Sequence, residues 1–484
     1  LDETYERILL AVDEEYRDIA VEALRWLCFS GEVLTIEELA EAAVFSATVE
    51  GPSKESLLKV SFDRDDLIQD PLDIMSILSG LVVYRPPDDR SDNPDDDVDN
   101  SDEDDDLHSQ PKIDTAKSEI LLSHFSVKEY LISGRLRSRV DRFAIDERRA
   151  HETLATKCLY FILYCQEFLE YSEESEDYYP TFRCLFFYYA SGRWVYHARR
   201  VEYESKLSYL IISLFELEQP LKGLFADEIN DNQESGALPP LYHAAFWGLY
   251  WPCKKMIENG ADVNMQGGFY GNPLQAASIT SHESIVPLLL HHGANVNLQG
   301  GYYGSALQAA TWVGKESTIK LLLDHRANIN MQGGIWGYPL RAALVSGMEN
   351  IVQLLLDHGA DANIQGERNR SPLHDAIENG GESAFQLLLD HGAHISNLIG
   401  YYDEVLDRML SNDPGSEINA KIPVILLEHG AVISKFHGGI EAEEALARKD
   451  FKRFVAIQME AHKEIRMRRG RKSRKGILYP VEYF

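Results

Sequence analysis

The sequence predicts a mainly α-helical chain whose C-terminal half is a solenoid of short helix pairs, and two observations carry that prediction. The segments PLYHAAFWG, PLQAASITS, ALQAATWVG, PLRAALVSG and PLHDAIENG begin at Pro240, Pro273, Ala306, Pro339 and Pro372, each 33 residues after the last. A second set, ENGADVN, HHGANVN, DHRANIN, DHGADAN and DHGAHIS, places Ala261, Ala294, Ala327, Ala360 and Ala393 in the same step, behind apolar runs such as the LLL of 288–290. Two independent motifs holding register over five units mark a repeat architecture, in which one supersecondary unit stacks on the next.

Each column of the repeat has a physical reason. Proline at the first helical position loses no hydrogen bond, because that N–H has no intrahelical partner, and its fixed φ starts the first helix. Leu274, Leu307, Leu340 and Leu373 follow it into the core. The alanines Ala244, Ala277, Ala310, Ala343 and Ala376 suit close helix approach, while the leucine runs of the second helix supply most of the buried apolar area. Gly293, Gly359, Gly392 and Gly430 fit the left-handed residue that ends a helix, and Arg326 takes that place in one unit at some steric cost. This period and pattern are those of ankyrin repeats, two short helices and a β-turn finger per unit. A degenerate sixth unit spans about 401–432, with five extra residues around SNDPGSE. Residues 440–459 then read as a charged amphipathic helix, with Ala445, Leu446, Phe451, Phe454 and Val455 suited to capping the stack.

Composition bounds the rest. The chain has 484 residues, a hydrophobic content of 44% and a net charge of −31, enough for two to three domains with real cores. Residues 88–106 hold twelve acids and one Arg (−11), and 463–475 hold eight bases and one Glu (+7), which leaves −27 elsewhere. A body that acidic repels nucleic acid and anionic membranes. Five scattered cysteines without a CxxC pair point to a reducing compartment and no zinc site. No apolar stretch approaches a membrane span, and no signal peptide opens the chain. It begins at Leu1 instead of Met, as expected of a fragment whose upstream part is missing.

In the N-terminal third, Ala20, Ala23, Leu24 and Leu27 recur at helical spacing, and Thr35 with Glu38 forms a capping box ahead of Ile36, Leu39, Ala40 and Ala43. A third helix is expected over 66–79, strands over 81–84 and 120–125, and a second capping box, Ser126 with Glu129, for the helix VKEYLIS. Three helices followed by a β-hairpin is the order of a winged helix. The acidic run, with Val98 its one aliphatic residue, is expected to loop out unfolded. Residues 146–230 are aromatic-rich, with CLYFILYC, CLFFYYA and LSYLIISLF as apolar cores of a helical connector burying its aromatics against the first repeat. The reading therefore divides the chain into a winged-helix-like domain at 1–140 with a disordered acidic insertion at about 86–112, a helical connector at 141–235, ankyrin repeats at 236–434 (five clear, one degenerate), a capping helix at 435–465 and a basic tail at 466–484.

LLSHFSVKEYLISG, then YYASGRWVYHARR, then repeats of the form QGGxYGxxLQAA together resemble fungal NLR-like proteins of the NACHT plus ankyrin class over nearly the whole chain. The resemblance implies a winged-helix segment that follows a NACHT nucleotide-binding module, a helical connector and a C-terminal ankyrin sensor. The NACHT module itself is absent from this sequence. There is no GxxxxGK[ST]: Gly314 and Lys315 are followed by Glu316, with Ala309 where the first glycine belongs, so no phosphate cradle forms and no nucleotide cofactor is expected.

No HExxH, GxSxG or Cys/His arrangement appears, and the sequence reads as non-enzymatic. The column His292, His325, His358, His391 and His429 is spaced one repeat apart, too far to share an ion; these residues read as helix C-terminal groups bonding the last carbonyls. The acidic run lacks the glycine and terminal glutamate of a calcium loop. The tail RMRRGRKSRKG fits a nuclear-import signal, an electrostatic partner for the acidic run, or a solvated tail; cytoplasmic residence is expected, with nuclear entry open. Candidate partner-binding residues lie in two columns expected to line the concave face. Tyr270, Tyr303 and Trp336 occupy the fingers, beside Phe269, Tyr302 and Ile335. Ile279, Trp312 and Val345 occupy the first helices, preceded in the first repeat by Phe246 and Trp247. A protein partner is expected, with neither nucleic acid nor membrane. The alternative is a DNA-associated regulator using the winged helix and tail, but Asp63, Asp65, Asp66, Asp70 and Asp73 against Arg64 alone give its third-helix region the wrong sign.

Overall fold

The computed structural model describes residues 1–45, 48–49, 60–61, 68, 70–86, 114–136, 139–170, 185–203, 205–215, 239–280, 282–366, 370–398, 418–428, 442, 444–445 and 448–458. The acidic run, most of the degenerate sixth repeat and the basic tail fall outside them. The described chain is mainly helical and forms two compact units, Leu1–Pro240 with Leu249–Gly260, and Leu241–Gly248 with Ala261–Phe484.

The first unit starts with α1 (Asp2–Ala11), α2 (Arg17–Phe29) and α3 (Ile36–Val44). The helical spacing in α2 buries Ala20, Ala23, Leu24 and Trp26 completely. Thr35 caps α3 as its sequence foretells: Glu38 N–H donates to Thr35 Oγ1 at 3.2 Å, and Thr35 N–H donates back to Glu38 Oε2 at 2.8 Å. β1 (Leu34–Thr35) precedes α3, and β2 (Thr48–Val49) pairs with β3 (Val60–Ser61). β4 (Val82–Arg85) and β5 (Glu119–Leu122) pair antiparallel, Val83 facing Leu121, in a three-stranded sheet of order β1-β5-β4.

Two local expectations need correction. Of the third helix expected over 66–79, residues 66, 67 and 69 lie outside the described residues; the described part is interrupted at Asp70 and Pro71, which form a turn in which Leu72 N–H bonds Asp70 Oδ1 at 3.0 Å, and α4 runs over Asp73–Ile77. α5 (Phe125–Ile132) has His124 as its N-cap, the ring Nδ1 accepting from Ser126 N–H at 3.2 Å. Ser126 is already inside the helix, so it forms no capping box with Glu129, and its hydroxyl meets both His124 Nδ1 and Tyr5 Oη at 2.7 Å.

α6 (Glu147–Glu170), α7 (Leu185–Ala198) and α8 (Lys206–Phe215) carry the aromatic stretches. Their rings pack within this unit on α2 and the end of α3: Trp26 meets Phe186 edge-on at 5.0 Å and Tyr189 at 5.6 Å, and Phe45 meets Phe161 at 5.0 Å. The helix Tyr250–Glu258 closes the unit, Lys255 Nζ standing 5.6 Å from the ring centre of Tyr209. Cys28, Cys158 and Cys253 are buried and free, and Cys165 is buried. A buried polar chain ties α2, α6 and α7 together. His151 Nδ1 lies 2.9 Å from His197 Nδ1, His197 Nε2 lies 2.9 Å from Tyr189 Oη, and Tyr189 O–H donates to Ser30 O. That last bond fixes the rest: the tyrosine oxygen accepts from His197 Nε2–H, and His197 Nδ1 accepts from His151 Nδ1–H.

The second unit is the repeat array. First helices Pro240–Phe246, Pro273–Thr280, Ala306–Val313, Pro339–Val345 and Pro372–Asp375 start on the expected column, the last running on into a π-helical stretch, Ala376–Gly380. Second helices are Ile285–His291, Glu316–Asp324, Glu349–Asp357 and Gly381–Asp390. All five column alanines are 0% exposed, so no larger side chain fits between these first helices. Gly293 and Gly359 end their helices at φ +87° and +89°, and Arg326 takes the same left-handed turn at +64° without glycine's freedom. His325, His358 and His391 donate from Nδ1 to the carbonyls of Leu321, Leu354 and Leu387 at 2.8–2.9 Å, the capping role expected of that column. In the sixth unit, the helix Ile418–Glu428 buries Val424 and Leu427 with Ala442, Ala445, Phe454 and Val455. The single helix expected over 440–459 breaks instead at a turn, 448–450, where Lys449 adopts φ +57°.

Candidate protein-interaction surface

The fingers owe their shape to glycine. Gly334 adopts φ +64°, and a Cβ there would fall 2.2 Å from the carbonyl carbon and oxygen of Tyr303, so only glycine lets one finger sit against the next. Each finger closes on itself through Gly267 N–H to Gly271 O at 2.8 Å, Gly300 to Gly304 at 3.2 Å and Gly333 to Gly337 at 2.8 Å. Neighbouring fingers then join backbone to backbone: Tyr302 N–H donates to Phe269 O at 2.8 Å, and Ile335 N–H to Tyr302 O at 2.9 Å.

That ladder sets the tip side chains in a row. Phe269, Tyr302 and Ile335 stand in it, 41%, 39% and 46% exposed, with Phe269 and Tyr302 stacked at 4.6 Å. The next residues, Tyr270, Tyr303 and Trp336, turn inward and are half-buried. There the finger column meets the helix column. Phe246 stacks on Tyr270 at 5.3 Å, Tyr270 on Tyr303 at 6.1 Å, and Trp312 on Trp336 at 4.4 Å. Burial raises the pKa of the Tyr303 hydroxyl, with Tyr270 and Tyr302 adding to it. Ile279 and Val345 are half-buried in the same helix column. Trp247 departs from the expectation: it is buried with its ring 5.5 Å from that of His243, and the column place one period before Ile279 belongs to Phe246.

Beside the aromatic row runs an amide ladder that sequence reading passed over. Asn297 Nδ2 donates to Arg326 O at 3.1 Å while its Oδ1 accepts from Asn328 N–H at 2.7 Å; Asn264 and Asn363 do the same for their following units. Gln266 and Gln299 reach the backbone oxygens of Gln299 and Gln332 at 3.1 and 3.0 Å. The signal was present, since Asn and Gln recur at 33 residues in VNMQ, VNLQ, INMQ and ANIQ. At the far end Tyr338 holds the N-cap position that Ser305 and Ser371 hold in neighbouring units. It cannot cap, and its hydroxyl donates to Asp375 Oδ2 at 3.1 Å, while Arg341 and Arg370 each reach Oδ1 at 3.3 Å. Burial pushes the Asp375 pKa up against the pull of the two guanidinium groups.

Among the described residues no group of three or more His, Cys, Asp or Glu could hold a metal ion, and no helix is long and apolar enough to cross a membrane. The family described as ankyrin repeats (3 copies) matches residues 241–333 and 335–398. The C-terminal half of the chain thus carries ankyrin repeats, a protein-interaction architecture. The chain is also 30% identical over 315 residues to the "Azaphilone pigments biosynthesis cluster protein L" of Monascus ruber, a match covering 60% of this chain and 58% of that protein.

Proposed function

We propose that this chain is a non-enzymatic recognition module whose ankyrin array binds a protein partner through the finger tips and first helices, the concave face of the array. The observation that carries this is the exposed row Phe269, Tyr302 and Ile335, held in register by finger-to-finger hydrogen bonds and backed by stacked rings. Large apolar side chains already ordered in the free protein lose little entropy on binding, which is what hot spots need. Tyr270, Ile279, Tyr303, Trp312, Trp336 and Val345 support the row from behind, whereas buried Trp247 serves the core.

In the same reading the N-terminal unit is a winged-helix-like brace in an NLR-like protein, supported by three helices followed by an antiparallel strand pair. The name of the Monascus ruber relative gives a biosynthesis cluster and no reaction. The buried, free Cys28, Cys158 and Cys253 favour a reducing, cytoplasmic setting, and the basic segment 466–476 would serve nuclear entry. The test is affinity capture from host extract with the full chain and with its Phe269→Ala/Tyr302→Ala/Ile335→Ala variant. At least one protein should be retained by the first and lost by the second at an unchanged melting temperature; identical captured sets would overturn the reading.

A further inference from the structure

The finger and first-helix stretches of three successive units, 265–281, 298–314 and 331–347, contain a single charged residue, Arg341. The second-helix stretches between and after them, 282–297, 315–330 and 348–363, contain nine, from Glu283 to Asp361. Arg341 is itself spent internally, its Nε 3.3 Å from the buried Asp375 carboxylate. On a chain of net charge −31 the exposed row Phe269, Tyr302 and Ile335 therefore stands in a strip with no free charge to offer a partner.

We propose, resting on the reading above, that this strip recognises an uncharged peptide segment bearing aromatic or aliphatic side chains, and discriminates against acidic and basic ones. The physical reason is desolvation. A partner charge laid against Phe269, Tyr302 and Ile335 loses water and gains no counter-charge, a loss that neutral side chains do not suffer. Discrimination against acids is the stronger of the two, because the surrounding field is negative. Affinity from such a contact comes from apolar burial against a rigid ladder, so it is nearly indifferent to salt.

The full chain is presented with a phage-displayed library of random linear peptides, and enriched sequences are titrated by calorimetry as synthetic peptides. Enriched peptides should be neutral with aromatic or aliphatic residues, and their affinity should change less than about two-fold between low salt and about 0.5 M NaCl. Tyr302→Phe should bind as the wild type does. Tyr302→Glu and Tyr302→Lys should each weaken binding more than about ten-fold with the melting temperature retained, because either charge spoils a neutral strip. Enrichment of charged peptides that still depend on Tyr302 would overturn this inference while leaving the recognition face in place. Peptides indifferent to all three substitutions, or no enrichment at all, would overturn both.

Discussion

Tyr302 and Trp336 come from neighbouring fingers and face different neighbours. Tyr302 is 39% exposed at a tip, whereas Trp336 lies half-buried, stacked at 4.4 Å on Trp312. Tyr302→Ala should therefore leave the melting temperature nearly unchanged. Trp312→Ala and Trp336→Ala should each cost about 2 kcal/mol, and the double mutant should show about 1 kcal/mol of coupling in urea unfolding, as stacked rings do. Purely additive losses would mean the stack contributes nothing beyond burial. A second test concerns the histidine chain. Burial, first of all, with Arg200 and Lys128 beside it, pushes His151 down from 6.5 to about 4. Burial likewise pushes His197 down to about 3, with His151, Arg200 and Arg193 adding to it. Both folded values lie below the unfolded one, so the unfolded chain takes up protons first and stability falls as pH drops from about 6.5 toward 4. In His197→Gln the slope of unfolding free energy against pH over that window should shrink; an unchanged slope would place the titration elsewhere. Neither contact was legible in the sequence. Trp312 and Trp336 are 24 apart and meet only through the helix-to-finger geometry; His151 and His197 are 46 apart on different helices.

At the scale of the element, the finger is a glycine device. A Cβ on Gly334 would overlap the Tyr303 carbonyl, so Gly334→Ala should displace the finger and lower stability by more than about 1 kcal/mol, with weaker partner binding as the tip row loses register. Asn297→Ala removes one donor and one acceptor between successive units and should cost about 1 kcal/mol of unfolding free energy, read by urea denaturation, without touching the aromatic row. The repeated helices were readable because their reasons sit in residue type: proline at the first position, leucine after it, alanine where nothing larger fits. The turn ahead of α4 was readable too, since Pro71 disfavours a helical conformation at Asp70. The same holds for Phe246, which is one period before Ile279 while Trp247 is not. What no local pattern carried was the contact of the Ser126 hydroxyl with Tyr5 of α1, 121 residues away, beside its contact with the N-cap residue His124.

At the scale of the whole molecule, the chain joins an ankyrin array to an aromatic-cored helical unit, and its charge is unevenly spent. Acids crowd the sequence, yet the finger and first-helix strip of three successive units, 265–281, 298–314 and 331–347, holds only Arg341, already committed to Asp375. That distribution makes the strip the place where a partner can approach without desolvating a charge, on one side of the three units whose fingers carry Phe269, Tyr302 and Ile335. The most direct test places a photo-crosslinking phenylalanine analogue in the full chain, in separate preparations, at residue 302 on a finger tip and at residue 316 on an exposed, charged second helix. Irradiated in host extract, the residue 302 protein should yield a discrete crosslinked partner and the residue 316 protein none. A partner captured from residue 316 and not from residue 302 would contradict the account.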